Sequence, residues 1–326
     1  MILALAGGVG GARLALGLAA VLPPQRVMFV VNTADDFEHL GFAISPDLDT
    51  VMYTLAGVNN AATGWGRADE TWNFMATLQT LGGEAWFRLG DRDLALHVLR
   101  TRELRRGVPL SKITQTLATR FGIRHAIVPM CDAPVRTRVR TDCGELSFQD
   151  YFVRRRCQPQ AQGFRFVGSR AARIPPALRQ FLHTDKAKAV VFCPSNPFVS
   201  IAPILSIPEL RTWLDRRTVP VIAVSPIVGG AAIKGPAAKM MRELGCEVSA
   251  LGVVRHYGDR VDGWVIDEAD AHLRPAIEGE GKAVLVTDTV MSGRRQSVQL
   301  AKRVVSFARR LTGRRVLAVE AHKGMN

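Results

Sequence analysis

Short, uniformly apolar and β-branched runs recur along the chain, at Ile2–Ala6, Arg26–Asn32, Ala126–Pro129, Ala187–Cys193, Val219–Ser225, Val261–Ile266 and Ala283–Thr287. Between many of them the apolar positions take a helical period, as in Gly11–Val21, Ile207–Arg216, Pro236–Leu244 and Gln296–Leu311. Buried strands alternating with amphipathic helices predict an α/β fold: a Rossmann-like, doubly wound, mainly parallel sheet with helices on both faces. The middle breaks this rhythm. Residues 51–124 read as mostly helical, and "VRTRVRTDCGELSFQDYFV" alternates around a Cys-Gly turn like a β-hairpin. The expected organisation is a core formed by residues 1–50 and 125–311, with a hairpin at about 135–167, a helical insertion over 51–124, and a basic, weakly structured tail over 312–326.

Composition narrows the class without changing this picture. The 326 residues, 47% of them hydrophobic, suffice for a sizeable core, and no apolar stretch approaches the roughly 18–20 residues of a membrane span. Met1 leads directly into strand-like residues with neither a basic leader nor a cleavage site, so a cytoplasmic protein is expected, with no membrane partner. Cys131, Cys143, Cys157, Cys193 and Cys246 are odd in number and never form C-x-x-C, which argues against a disulfide framework and against a zinc site. The net charge of +14 raises nucleic-acid binding, yet the arginines are dispersed and not interleaved with stacking aromatics. Basic faces and an anionic small-molecule substrate account for the excess better, and no nucleic-acid partner is expected.

The first strand runs into Gly7-Gly8-Val9-Gly10-Gly11 and then a helix. Small residues there let backbone N–H groups approach an anion at a helix N-terminus. The dinucleotide fingerprint fails because its third small position falls on Arg13, and the ATPase loop fails because no Gly-Lys-Ser/Thr follows. What remains is a phosphate-binding turn of unspecified kind. Asn32 ends the second strand beside it, followed by Asp35, Asp36, Asp47 and Asp49, oxygen ligands suited to Mg²⁺. Asp47 also reads as a helix cap after Ser-Pro, with Asp49 inside the helix's first turn. Asp91 and Asp93 alternate with Arg88 and Arg92 at a further loop-to-helix junction, where capping and salt bridges are the plain reading, and His97 reads as a packed histidine. Pro194-Ser195-Asn196-Pro197 and the Gly235-Pro236 helix start, with Lys234 and Lys239 nearby, add two more polar loops at strand ends. Together they point to one crevice for something long and phosphorylated.

"GGVGGARL", "VVNTADD", "SPDLDTVMYTLAG", "GWGRADETW", "LGDRDLALHVLR", "SFQDYFV", "PSNPFVSIAPIL" and "SPIVGGAAIKGPAAK", in this order over residues 1–260, closely resemble the 2-phospho-L-lactate transferase family of coenzyme F-420 biosynthesis. The resemblance implies transfer of a phosphorylated three-carbon acid from its guanosine-diphosphate conjugate to the terminal ribityl hydroxyl of the deazaflavin Fo, with release of GMP. It also implies dependence on Mg²⁺ and a homodimer. By motif, Asp35 and Asp49 match the metal carboxylates. Asp49, Arg88 and Asp91 match the Fo site, which the 51–124 insertion would complete, and Asp49 would orient or deprotonate the attacking hydroxyl. Gly7, Gly8, Gly10, Asn32, Ser195, Asn196 and Lys239 would hold the guanosine and its phosphates. The G-G-V-G-G-A-R turn is like that of bacterial members, and Arg88 stands where archaeal members usually carry Lys. Bacterial members are associated with phosphoenolpyruvyl or 3-phosphoglyceryl donors in place of 2-phospholactyl, and no motif here encodes that choice. A Rossmann oxidoreductase is disfavoured by Arg13 and by Asn32 in place of an acidic residue. Related nucleotide-sugar-binding regulators, the non-enzymatic alternative, lack "PDLDT" and the "SFQDYF" hairpin.

Overall fold

The chain's first strand, β1 (Ile2–Ala6), lies inside the main sheet, not at its edge, and that placement organises the whole molecule. The computed structural model describes residues 1–184 and 186–323. From β1 the chain enters α1 (Gly8–Val21), returns along β2 (Val27–Val31), and makes a small antiparallel pair, β3 (Phe37–His39) and β4 (Phe42–Ile44). Four helices follow, α2 (Pro46–Ala56), α3 (Asn73–Thr80), α4 (Asp91–Arg105) and α5 (Leu110–Arg120), before β5 (Ala126–Pro129). β6 (Arg136–Thr141), β7 (Gly144–Ser147) and β8 (Ala161–Val167) form a separate antiparallel sheet in the order β7-β6-β8. Next come α6 (Pro176–Leu182), β9 (Ala189–Phe192), α7 (Ala202–Leu205), α8 (Pro208–Asp215) and β10 (Val221–Val224). A two-residue ribbon, β11 (Ile227–Val228) and β12 (Ala231–Ala232), precedes α9 (Ala237–Glu243) and α10 (Ala250–Tyr257). The chain ends with β13 (Gly263–Ile266), α11 (Arg274–Gly279), β14 (Ala283–Val286) and α12 (Arg294–Lys323).

Seven parallel strands stand in the order β14-β13-β10-β9-β1-β2-β5. All seven coincide with the apolar runs of the sequence, and the doubly wound parallel sheet is confirmed. Alternate residues feed opposite cores. Leu3, Leu5, Met28, Val30 and Phe192 pack on one face, and Ile2, Ala4, Phe29, Val31 and Val191 on the other. Both faces are apolar because helices cover both, which is why these strands read as continuous and not alternating. Each fully buried Leu, Val or Phe contributes on the order of 2 kcal/mol.

The order reverses between β1 and β9, the place where ligands bind in such sheets, outside the carboxyl ends of the strands. Several features differ from the sequence reading, among them the third strand β8 beside the expected hairpin and the β11–β12 ribbon. The β3–β4 pair is absent from that reading too, being three residues per strand with Glu38 and His39 inside. The weakly structured tail over 312–326 is instead helical as far as Lys323: α12 buries Val304, Val305 and Ala308, and once that amphipathic stretch is nucleated, good helix formers propagate it. Thr312 donates to the Lys188 carbonyl (2.9 Å), and residues 324–326 lie outside the described residues.

Candidate active site at the strand switch point

Gly7 leaves β1 extended, and Gly8 begins α1 with φ +63°, a left-handed conformation that costs glycine little. Space around Gly8 is open, whereas the other glycines are packed. A Cβ on Gly7 would lie 2.6 Å from Asp47 Oδ2, and one on Gly10 2.2 Å from the Pro194 carbonyl. The turn is therefore glycine-rich chiefly because α1 is pressed against the loop after β9 and against α2. Ser195 fastens it by accepting from Gly7 N (3.1 Å) and donating to Gly7 O (2.8 Å).

Asn32, at the end of β2, gathers the acidic residues. Its Nδ2 donates to Asp35 Oδ2 (3.0 Å), Asp47 Oδ2 (2.9 Å) and the Val199 carbonyl (3.2 Å), while its Oδ1 accepts from Ala34 N (3.0 Å). Asp47 reaches there from the first turn of α2 and also accepts from Gly8 N (2.8 Å), so a carboxylate already sits at the start of α1. Asp35 is held from the hairpin side by Thr137 Oγ1 (3.0 Å), and Gln149 of the "SFQDYF" motif donates to the Asp35 carbonyl (3.0 Å). Burial, and next the Asp47 charge, push the Asp35 carboxyl well above the usual range. Burial raises Asp47 too, against the opposing hydrogen bonds from Asn32 and Gly8. Neighbouring Asp36 is pushed up to about 7 by burial; Ser45 donates to its Oδ2 (2.7 Å), and its Oδ1 has no hydrogen-bond partner.

Asp49 faces elsewhere. Both of its oxygens are taken by the Arg100 guanidinium of α4, Nη1 at 3.0 Å from Oδ2 and Nη2 on Oδ1, with both side chains buried. Burial still holds the Asp49 carboxyl above the usual range, opposed chiefly by Arg100. His97 bridges Asp49 (Nδ1 to Oδ2, 3.8 Å) and Asp93 (Nε2 to Oδ2, 3.4 Å), and Tyr53 donates to Asp93 Oδ1. Ligand atoms of Asp49, Asp93 and His97 lie within 4.8 Å of one another, the spacing of a metal site. The guanidinium already neutralises Asp49 there, so this cluster is an α2–α4 brace. Arg100 is the residue that sequence reasoning missed. The signal was present, since 93, 97 and 100 share one helical face.

Asp35 and Asp49, expected to share a metal, thus have different partners; the neighbour of Asp35 is Asp47. The remaining predicted residues are placed as follows. The exposed Arg88 stacks over the Trp72 ring at 4.1 Å. Asp91 caps α3, accepting from Thr71 Oγ1 (2.6 Å), Asn73 N (3.0 Å) and Phe74 N (3.1 Å), and these hydrogen bonds, that of Thr71 first, lower its pKa. Glu70 caps α4 in return, through Arg92 N (2.7 Å) and Asp93 N (2.8 Å). Asn196 accepts from Phe198 N (2.9 Å) and Val199 N (3.3 Å), capping a π-helical turn. Lys239 pairs with Glu243 and donates to the Pro159 carbonyl (3.1 Å). Lys234 donates to the Thr63 carbonyl at 2.8 Å.

Comparisons with known proteins bear on what this crevice is for. A phosphoenolpyruvate transferase of Kitasatospora aureofaciens is 40% identical over 314 residues, covering 94% of this chain and 97% of that protein. A 2-phospho-L-lactate transferase of Methanosarcina mazei is 38% identical over 299 residues, covering 92% and 97%. The fold is shared with a UPF0052 family protein of Bacillus halodurans, at a TM-score of 0.58 and 11% identity over 93% of this chain and 98% of that one. No described helix is long and apolar enough to cross a membrane. The family model of 2-phospho-L-lactate transferase CofD matches residues 2–305, and the chain belongs to that family of transferases of coenzyme F420 biosynthesis.

Proposed function

We propose that the protein transfers a phosphorylated three-carbon acid from its guanosine-diphosphate conjugate to the terminal ribityl hydroxyl of Fo, releasing GMP. The observation that carries this reading is the pair of buried carboxylates, Asp35 and Asp47, joined by one Asn32 amide beside the start of α1. Their hydrogen-bond partners are all neutral, and their charges oppose each other, so as a donor set they suit a hard divalent cation with oxygen ligands. Asp35 and Asp47 would hold Mg²⁺, and the bound ion supplies charge neutralisation for the diphosphate.

Phosphoryl-type transfer from a diphosphate needs positioning and charge compensation more than covalent help. The first turn of α1 offers N–H groups and a positive dipole end to the diphosphate. Asp49 serves the acceptor. Arg100 holds both oxygens of its carboxylate, so in this role the ribityl hydroxyl displaces one guanidinium contact and uses the freed oxygen as hydrogen-bond acceptor and, during attack, as base. Arg88, exposed on Trp72, is the cation available to the deazaflavin side.

The test is a purified-protein assay with Fo, Mg²⁺ and each guanylated donor (2-phospholactyl, phosphoenolpyruvyl and 3-phosphoglyceryl), read by mass. A deazaflavin phosphodiester and an equal amount of GMP with one donor are expected. Neither product with any donor refutes the reading. Full turnover by Asp49→Asn would remove Asp49 from the acceptor role alone.

A further inference from the structure

Around the crevice, most cations are committed. Arg100 is ion-paired with Asp49 and Lys239 with Glu243, while Arg13, farther along α1, donates to the Met291 carbonyl at 2.5 Å. Lys234 differs. It stands on the loop between β12 and α9, at the carboxyl end of the sheet, and among the described residues its ammonium has no carboxylate partner and donates to two backbone carbonyls, Thr63 O at 2.8 Å and Ala62 O at 3.5 Å.

Those carbonyls belong to a segment, residues 59–68, that crosses from α2 over the glycine turn. Its root is closed by the Asn59–Arg67 bridge and by Ala68 N donating to Val58 O (2.8 Å), and the Arg67 guanidinium lies over the Tyr53 and Phe121 rings at 5.7 and 5.6 Å. Its tip is Gly64, at φ +80°. A Cβ there would lie 2.6 Å from Val9 Cγ1 and 3.3 Å from Lys234 Nζ. The ammonium therefore stands beside the first turn of α1, under a strap whose outermost side chain, Trp65, is 53% exposed.

We propose that Lys234 grips the diphosphate of the guanylated donor, exchanging the strap's carbonyls for phosphate oxygens and thereby coupling nucleotide binding to movement of residues 59–68. This rests on the transferase reading above. The exchange is favourable because phosphate oxygens add charge–charge attraction to hydrogen bonds that the carbonyls accept only as neutral dipoles. An ammonium with no carboxylate partner gives up no ion pair in making it. The strap connects two walls of the crevice, so releasing it opens the mouth through which a nucleotide enters.

The experiment measures GDP binding in the presence of Mg²⁺ by calorimetry for the wild type, Lys234→Met, Lys234→Arg and a surface-charge control, Lys112→Met. Amide exchange of residues 59–68 is followed with and without GDP. Lys234→Met is expected to weaken GDP by about tenfold or more, the worth of one charge-assisted hydrogen bond. Lys234→Arg should stay close to wild type, Lys112→Met should match it, and the strap should exchange faster in free Lys234→Met. GDP binding by Lys234→Met within about twofold of wild type overturns the proposal, as does an equal loss in Lys112→Met, since neither fits the roughly tenfold effect of a direct contact. A folded wild type that binds no GDP overturns the transferase reading itself.

Discussion

Asp36→Asn should stabilise the protein, and the gain should grow with pH. Asp36 is 8% exposed, accepts from Ser45 through one oxygen, and leaves the other without a hydrogen-bond partner. Burial raises its carboxyl from 3.8 to about 7 although Arg136 and Arg100 oppose the rise. The folded state therefore holds this proton more tightly than the unfolded chain. Its contribution to stability is fully present below about pH 4 and lost as pH rises through about 7. A gap of about three pH units, at roughly 1.4 kcal/mol each, corresponds to about 4 kcal/mol at pH 8, to order of magnitude. That is a large share of the roughly 5–15 kcal/mol that keeps a typical domain folded. The neutral isostere removes the ionisation and keeps the shape. Urea unfolding of both proteins between pH 4.5 and 8 measures it: the midpoint difference should widen up to about pH 7 and then level off. A variant less stable than wild type at pH 8, or an advantage that shrinks as pH rises, refutes the reasoning.

Three further outcomes follow from the packing around the site. Gly10→Ala drives a methyl into the Pro194 carbonyl and should cost at least about 1–3 kcal/mol in urea unfolding, more than Gly8→Ala, which meets only an unfavourable φ in open space. Arg100→Met strands the buried Asp49 carboxylate and should cost about 3–5 kcal/mol; the double variant Arg100→Met/Asp49→Asn should recover much of it, and a fully additive cycle would contradict the pairing. Asp91→Ala removes the cap of α3 and should lower the Tm while leaving the KM for Fo unchanged; a raised KM at unchanged Tm would return Asp91 to the acceptor site.

The sheet was legible because its inner strands are buried on both faces and its edge strand β14 is still half-buried, so each wrote itself as a continuous apolar run. The β6–β7 hairpin was legible through its alternation, although its two-residue turn is Asp142-Cys143 and the glycine of the expected Cys-Gly turn already pairs with Thr141. β3 and β4 left no such trace, because three residues with a charge among them make no period. At the site, the residue types could be read while their partners could not. Asp35, Asp47 and Asp49 look alike in sequence, and only the fold gives Asp47 to Asn32 and Gly8 and gives Asp49 to an arginine 51 positions away. Lys234 and Lys239 looked equivalent until Glu243, one helical turn on, was seen to hold the second. The glycines announced a phosphate turn, yet three of their four Cβ positions are blocked by the protein's own atoms.

The placement of β1 also bears on how the chain is made. The serine that clasps Gly7 arrives 188 residues after it, just behind the ladder partner β9. At about 5–20 residues per second, the ribosome leaves this apolar strand half-paired for roughly 10–40 s. During that interval its free edge is exposed to chaperones or to other nascent chains, and the glycine turn has only one of its two walls. A chain ended before Ser195 therefore lacks the clasp on Gly7, and the candidate site closes only when a late segment packs against a much earlier one.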